Sequence, residues 1–428
     1  MKTSAYNYIL YKNGYSYWFN GISKSFFRLS ESLGRKMEDV INNPDKLVEH
    51  ESIIGKFING GFVINKNIDE LNHIRKMNEE SINKQNYFLI ILPTLNCNFS
   101  CWYCIQDHVQ SVMSLETIEK VKRHIDKIIF EERITELHIE WFGGEPFMNF
   151  KEVIEPISKY AIEKCKNANI PFLNAATTNG YYLDSKLNPK LQENMFKRFH
   201  ITLDGPRDSH NKIKFQNGLE SAFDRTLENI NNILNFNKES SIILRINYTR
   251  ENLNEEIVNQ VSEHIKLENR NRVLVILKKV WQENATGLTE KLELVRKQFK
   301  KCNFTVQELD VIYDFIPCYA NRKNYLAVNY NGSVVKCTAH DDLYSKNPPG
   351  KLNDDGSVSW REDFLSKFNK KRFENDRCLK CKHLPLCMGI CSRDYDKENE
   401  KELYYCKMKS QTFSIESQIV NFIDSNYQ

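Results

Sequence analysis

The chain contains no hydrophobic run long enough to cross a bilayer. Its most apolar stretch, YFLIILPTL, covers residues 87–95, about half the span of roughly twenty residues that a membrane helix needs. The opening residues, MKTSAYNYILYKNGYSYWF, hold no apolar core of the kind a secretory signal carries. A strong charge of either sign is also missing: 60 Lys and Arg against 56 Asp and Glu leave a formal charge of +4 over 428 residues. That balance gives no reason to expect a nucleic acid or an anionic membrane as partner. No internal repeat and no low-complexity tract interrupts the sequence. With 41% hydrophobic and 27% charged residues, the composition is that of a globular, cytoplasmic protein of two or three domains.

What the chain does have is cysteine. A reducing compartment disfavours disulfides, yet twelve cysteines are present, and ten of them fall into two groups, at 97–104 and 318–406. Clustered thiols in such a setting point to metal. Cys165 and Cys302 stand alone. Cys165 sits in the helical run SKYAIEKCKN and reads as a packing residue.

The first eighty residues read as a small winged-helix-like domain. Aromatic-rich runs flank Asn13-Gly14, a hairpin signal, and present an exposed aromatic hairpin from Tyr6 to Phe19. Helices are expected near 23–33 and 45–58, then a short strand at FVIN and a polar helix, IDELNHIRKMNEESINK. From residue 87 short β-rich runs alternate with helical stretches: 87–92, 135–141, 171–177, 198–203, 241–249 and 271–280. The clearest helix, SLETIEKVKRHIDKIIFEER, has Ser114 as its cap and Leu115, Ile118, Val121, Ile125 and Ile128 on one buried face. Strands alternating with helices imply parallel βαβ units, and six units make an α/β partial barrel, (β/α)6, rather than a closed barrel of eight. The expected domains are 1–85, the barrel at 86–295, and a cysteine-rich region at 296–428.

The first cysteine group, in LNCNFSCWYCIQ, supplies Cys97, Cys101 and Cys104 on one tight loop directly after the first strand. Structural zinc usually takes four ligands, and no fourth Cys or His stands in register, His108 being the nearest. Three thiolates on a cubane leave one iron open. This Cx3Cx2C loop resembles that of the radical S-adenosylmethionine enzymes, and further motifs match in order. The resemblance implies a [4Fe–4S] cluster on the three cysteines, with S-adenosylmethionine chelated to the fourth iron and Tyr103 near the adenine. EWFGGEP supplies Gly143, Gly144 and Glu145, similar to the family's GGE motif; the glycines would let backbone approach the ligand's ammonium, and Glu145 would add negative charge. Thr178 and Asn179 in TTNG, Thr202 and Asp204 in ITLDG, and Asn247 in RINYT resemble further cofactor contacts. Many relatives carry an arginine a few residues past the histidine of the fourth segment, on the methionine carboxylate. Here Lys212 and Lys214 stand in that neighbourhood, and lysine supplies charge without the bidentate fork.

The second group resembles a SPASM domain, an appendage of a radical S-adenosylmethionine subgroup. That resemblance implies two auxiliary [4Fe–4S] clusters: an outer one on Cys378, Cys381, Cys387 and Cys406, and an inner one on Cys318, Cys337 and Cys391, with Cys302 as its fourth ligand through a long loop or an open iron in its place. YLAVNYNGSVVKC reads as a hairpin with Asn331-Gly332 at its turn. The group's substrates are mostly peptides and proteins. The expectation is a maturase of a ribosomally made precursor peptide, with a leader docked on residues 1–85 and electrons from a flavodoxin- or ferredoxin-type donor. A sulfatase-maturing enzyme is the runner-up, and a catalytically degenerate peptide-binding or electron-transfer protein is a third reading.

Overall fold

The computed structural model describes residues 1–43, 51–283, 287–307, 318–339, 341–364, 373–389 and 414–427. The chain divides into two compact units. One comprises 1–84, 308–322 and 369–428; the other comprises 85–307 and 323–368.

The second unit is an α/β structure built on a parallel, partial-barrel sheet. All six expected strands form, at Asn86–Ile91, Glu136–Trp141, Phe172–Thr178, Phe196–Leu203, Ser241–Tyr248 and Val273–Lys279, each parallel to the next in sequence order. Val273–Lys279 also pairs with a short strand, Thr305–Val306. At the other edge Tyr325–Val328 runs parallel to the first strand. It turns through Gly332 (φ 79°) into Ser333–Val335, as the Asn-Gly signal implied, and Gly350–Leu352 and Val358–Trp360 complete the sheet. Neither edge extension was expected from the sequence.

Period-two alternation explains how the parallel strands bury their outer faces. On Asn86–Ile91, Tyr87, Leu89 and Ile91 are buried; Ser241–Tyr248 likewise buries Ile242, Leu244 and Ile246. The helix Leu115–Asp126 packs beside the first strand. Its cap is Ser114, whose hydroxyl accepts from the Thr117 N–H at 3.2 Å, and Ile118, Val121 and Ile125 are buried. Ile128 is buried in the π-turn Lys127–Glu131 that continues it. Leu115, expected on the same face, is instead 79% exposed.

In the first unit, Asn7–Lys12, Tyr15–Asn20 and Phe26–Ser30 form an antiparallel sheet with Tyr15–Asn20 at its centre. Asn13 and Gly14, both at positive φ, make the hairpin turn. Three helices follow, Glu31–Asn42, Glu51–Asn59 and Glu70–Ile82; residues 45–50 of the helix expected at 45–58 lie outside the described residues. The helix expected at 23–33 is corrected: Phe26–Ser30 is a strand whose backbone pairs with the hairpin, and the helix begins only at Glu31. The exposed aromatic hairpin is also corrected. Trp18 is fully buried with Phe57 and Phe62 on one face of the sheet, while Tyr8, Tyr17 and Phe19 pack with Leu386, Ile415 and Ile419 on the other. The final helix runs Ile415–Asn426. No described helix is long and apolar enough to cross a membrane.

Candidate active site

The three cysteines leave the carboxyl end of the first parallel strand, where ligand sites of parallel α/β sheets form. Their loop is clamped by backbone. Gly144 N–H donates to Thr94 O at 3.2 Å and Glu145 N–H to Asn96 O at 2.9 Å. A Cβ on Gly143, which has φ +124°, would stand 2.3 Å from Thr94 O, and one on Gly144 would stand 2.1 Å from Asn96 O. Both glycines are therefore required for the second strand's end to lie against the cysteine loop. The sequence reading had assigned this close approach to the ligand.

Glu145 is fully buried and turned inward. Its carboxylate accepts from the Thr178 hydroxyl at 2.8 and 2.9 Å, from Asn179 N–H at 2.8 Å and from Phe147 N–H at 3.1 Å. Burial pushes its pKa up to about 7 against these hydrogen bonds. Glu145 thus ties the second strand's end to the third's, a role that only the folded pairing of those strands reveals. Asn179 completes the tie: its amide donates to Asn98 Oδ1 at 2.8 Å and lies 3.8 Å from Cys97 Sγ.

Four residues singled out from separate motifs converge on one group. The Tyr103 hydroxyl and the Lys214 ammonium both bond the Asp204 carboxylate, and Asn247 donates to Tyr103 Oη at 3.0 Å and to Asp204 Oδ1 at 3.1 Å. Asp204 and Lys214 are both buried. Burial alone would raise Asp204, but Lys214 and His210 hold its pKa below the usual carboxylate range. Burial alone would lower Lys214, but Asp204 and the nearby Cys101 and Cys97 hold it above its usual value. Burial pushes the thiols up, Cys97 to about 12, while Lys214 pulls Cys101 and Cys104 down. The lysine is therefore placed to favour thiolate. Thr202 stands two residues before Asp204, in register with Arg245, and Lys212 is on the short helix Arg207–Ile213.

The sequence reading missed two residues here. His210 accepts from Asp204 N–H at 3.1 Å, fixing the turn after the fourth strand. Arg245 donates from Nε to Asn247 Oδ1 at 2.8 Å; its position two residues before Asn247 on one strand was the available signal.

This donor set fits a three-thiolate iron–sulfur cluster: three thiols on one clamped loop, with a buried ammonium beside them. Among the described residues no three His, Cys, Asp or Glu side chains lie close enough to share a single metal ion, and thiolates on a cubane bind different iron atoms. Of the second cysteine group, Cys378, Cys381 and Cys387 lie in the first unit, where Asn375 caps the Cys378 N–H at 3.0 Å and the Tyr8 hydroxyl bonds His383 Nδ1 at 2.7 Å. Cys318 belongs to that unit too, and Cys337 to the other. Cys391 and Cys406 lie outside the described residues. Cys302 ends the helix Thr289–Lys301, its carbonyl accepting from Arg270 at 3.0 Å. It sits beside Thr305–Val306, and seven strands of the sheet separate that strand from the one leading to Cys337. Cys165 is buried in the helix Glu155–Ala168, as a packing residue should be.

A thiolate loop after the first strand of a partial barrel, facing a buried polar group at the ends of the fourth and fifth strands, defines a class. Residues 91–261 match the profile of the Radical SAM superfamily and form a radical SAM domain, the kind of domain that works with S-adenosylmethionine and a [4Fe–4S] cluster. It is similar to the radical SAM cyclopropyl synthase TigE of Paramaledivibacter caminithermalis, at 20% identity over 87% of this chain and 83% of that protein. It is also similar to a cysteine-type anaerobic sulfatase-maturating enzyme of Clostridium perfringens, at 23% identity over 76% of this chain and 95% of that one. Among solved structures, anSMEcpe with bound AdoMet and Cp18Cys peptide matches with a TM-score of 0.59 and 20% identity, over 80% of this chain and 99% of that one. Streptococcus suis SuiB bound to precursor peptide SuiA matches at 0.54 and 16%, over 96% and 99%.

Proposed function

We propose that this enzyme is a maturase that modifies a ribosomally synthesised precursor peptide by hydrogen abstraction. Cys97, Cys101 and Cys104 hold the [4Fe–4S] cluster, which together with S-adenosylmethionine supplies the 5′-deoxyadenosyl radical. Tyr103, Asp204, Lys214 and Asn247 form a rigid wall beside it, and Gly143, Gly144, Glu145, Thr178 and Asn179 fix the loop they face. Thr202 continues that wall. Such pre-set positioning, with water excluded, is what confines a reactive radical to one carbon. Two auxiliary [4Fe–4S] clusters are held in the 296–428 region, by Cys378, Cys381, Cys387 and Cys406 and by Cys318, Cys337 and Cys391. A flavodoxin- or ferredoxin-type protein delivers the electrons.

The observation that carries the peptide reading is the antiparallel sheet that residues 7–30 contribute to the first unit. Phe26–Ser30 is an edge strand of this three-stranded sheet, a surface to which an extended peptide adds as a further strand. The fold likeness over 96% of this chain to SuiB, solved with its precursor peptide SuiA, supports the same reading. Arg28 N–H points outward from this edge and donates to the Tyr427 hydroxyl at 3.1 Å. Arg28→Pro removes that donor without touching the ladder to the central strand, whereas Arg28→Ala keeps it. With the full-length enzyme and a precursor read from neighbouring short reading frames, Arg28→Pro should weaken leader binding about tenfold more than Arg28→Ala. Equal binding and turnover in both would make this domain a structural cap. A sulfatase maturase would instead process short peptides carrying only the local target, with no gain from a leader.

A further inference from the structure

The inner face of the parallel sheet is charged. Alternation puts Ile242, Leu244 and Ile246 outward, against helices, and Arg245 and Asn247 inward. The same rule turns His138 and Glu140, Arg198, His200 and Thr202, and Lys278 inward from their strands. Three of these are cations, Arg198, Arg245 and Lys278. The histidines do not add to them: burial lowers both His138 and His200 to about 4, with Arg198 acting on the first and Arg245 and Lys278 on the second. The only inward carboxylate among these residues, Glu140, lies near Arg198 and bonds the Thr177 hydroxyl at 2.7 Å.

Arg245 is an inward cation with no carboxylate in direct contact among the described residues; Asp204 acts on it without a bond. Its Nε bonds the Asn247 amide oxygen, and no described carboxylate bonds its guanidinium. Asp204 is committed to Tyr103, Asn247 and Lys214. A guanidinium held inside a protein without an anion is costly unless a ligand provides one, and its planar fork matches a carboxylate. Register places Arg245 one layer deeper than Asn247, level with Thr202 and Ile276. Lys214 is the cation that the cysteine thiols act on; the charged and phenolic groups acting on Arg245 are Tyr103 and Asp204 instead.

We infer that Arg245 receives a carboxylate of the substrate, so that the peptide residue presented to the radical, or its immediate neighbour, is acidic. This rests on the peptide reading and names its substrate class.

The test uses full-length enzyme reconstituted without oxygen and loaded with S-adenosylmethionine. The probes are N-acetyl-glutamate N-methylamide and its glutamine counterpart, read by saturation-transfer NMR. Wild type should bind the acidic probe at least tenfold better than the amide. R245Q should abolish that preference, and R245K should keep part of it, which separates charge from folding. Equal binding of the two probes to wild type, binding of neither, or an unchanged preference in R245Q would overturn the inference. So would a tenfold loss of S-adenosylmethionine affinity in R245Q with the probe preference intact, since the guanidinium would then serve the methionine carboxylate. Because the probes carry no leader, an acid preference without leader-dependent turnover would sink the leader reading alone, and the converse would sink this one alone.

Discussion

Single residues show how a charge-bearing site and its scaffold are set by burial. His124 lies under the first strand, with Nε2 on the Tyr87 hydroxyl at 2.9 Å and Nδ1 on Gly356 O at 2.8 Å. Burial lowers its pKa from 6.5 to about 4, so the unfolded chain binds this proton more readily than the folded one. Its contribution is present above pH 6.5 and is lost as pH falls toward 4, by about 3 kcal/mol at most. Denaturant unfolding followed by far-UV circular dichroism at pH 7.5 and 4.5 should show a smaller acid loss in His124→Asn than in wild type; an identical loss would remove His124 as a cause. The candidate site was legible at this scale wherever a motif names residue types. Cys97, Cys101, Cys104, Tyr103, Asp204, Lys214 and Asn247 all converge or adjoin in the fold. Glu145 was legible as a residue but not as a role, because its partners lie on another strand and appear only once the sheet has formed. Arg245 needed period-two reading applied to a strand already identified.

At the scale of elements, hydrophobic alternation announced all six barrel strands, because each is long and flanked by helix. It did not announce Thr305–Val306 or the docking of Tyr325–Val328 on the first strand, whose partners are remote in sequence. Phe26–Ser30 was misread because five residues adjoining a true helix carry too little period of either kind. The hairpin rings looked exposed because an isolated hairpin would expose them; two packing layers from elsewhere in the chain cover them. Trp18 meets Phe27 at 5.4 Å and Phe57 at 5.2 Å between ring centroids. Trp18→Ala should therefore cost about 3–5 kcal/mol, seen as early loss of the first unit's protection in hydrogen exchange. A cost below about 1 kcal/mol would mean the sheet does not depend on that layer.

For the whole molecule, the cluster assignment makes a stoichiometric prediction. Three [4Fe–4S] clusters carry about twelve irons per chain. Replacing Cys97, Cys101 and Cys104 together by alanine should leave about eight irons and abolish 5′-deoxyadenosine formation under dithionite. Retained formation would move the radical site off that loop, and stoichiometric zinc in the wild type would remove the auxiliary clusters.

The first unit draws its core from both ends of the chain: Tyr8, Tyr17 and Phe19 come from the start, and Ile415, Ile419 and Ile423 from the close. On a translating ribosome these halves emerge far apart in time. Roughly 395 residues separate Phe19 from Ile415, so at about 5–20 residues per second one apolar face of the N-terminal sheet waits roughly 20–80 s for its cover. A nascent chain stalled before the helix Ile415–Asn426 should therefore hold the N-terminal sheet as a chaperone client, and this unit can close only once that helix has emerged.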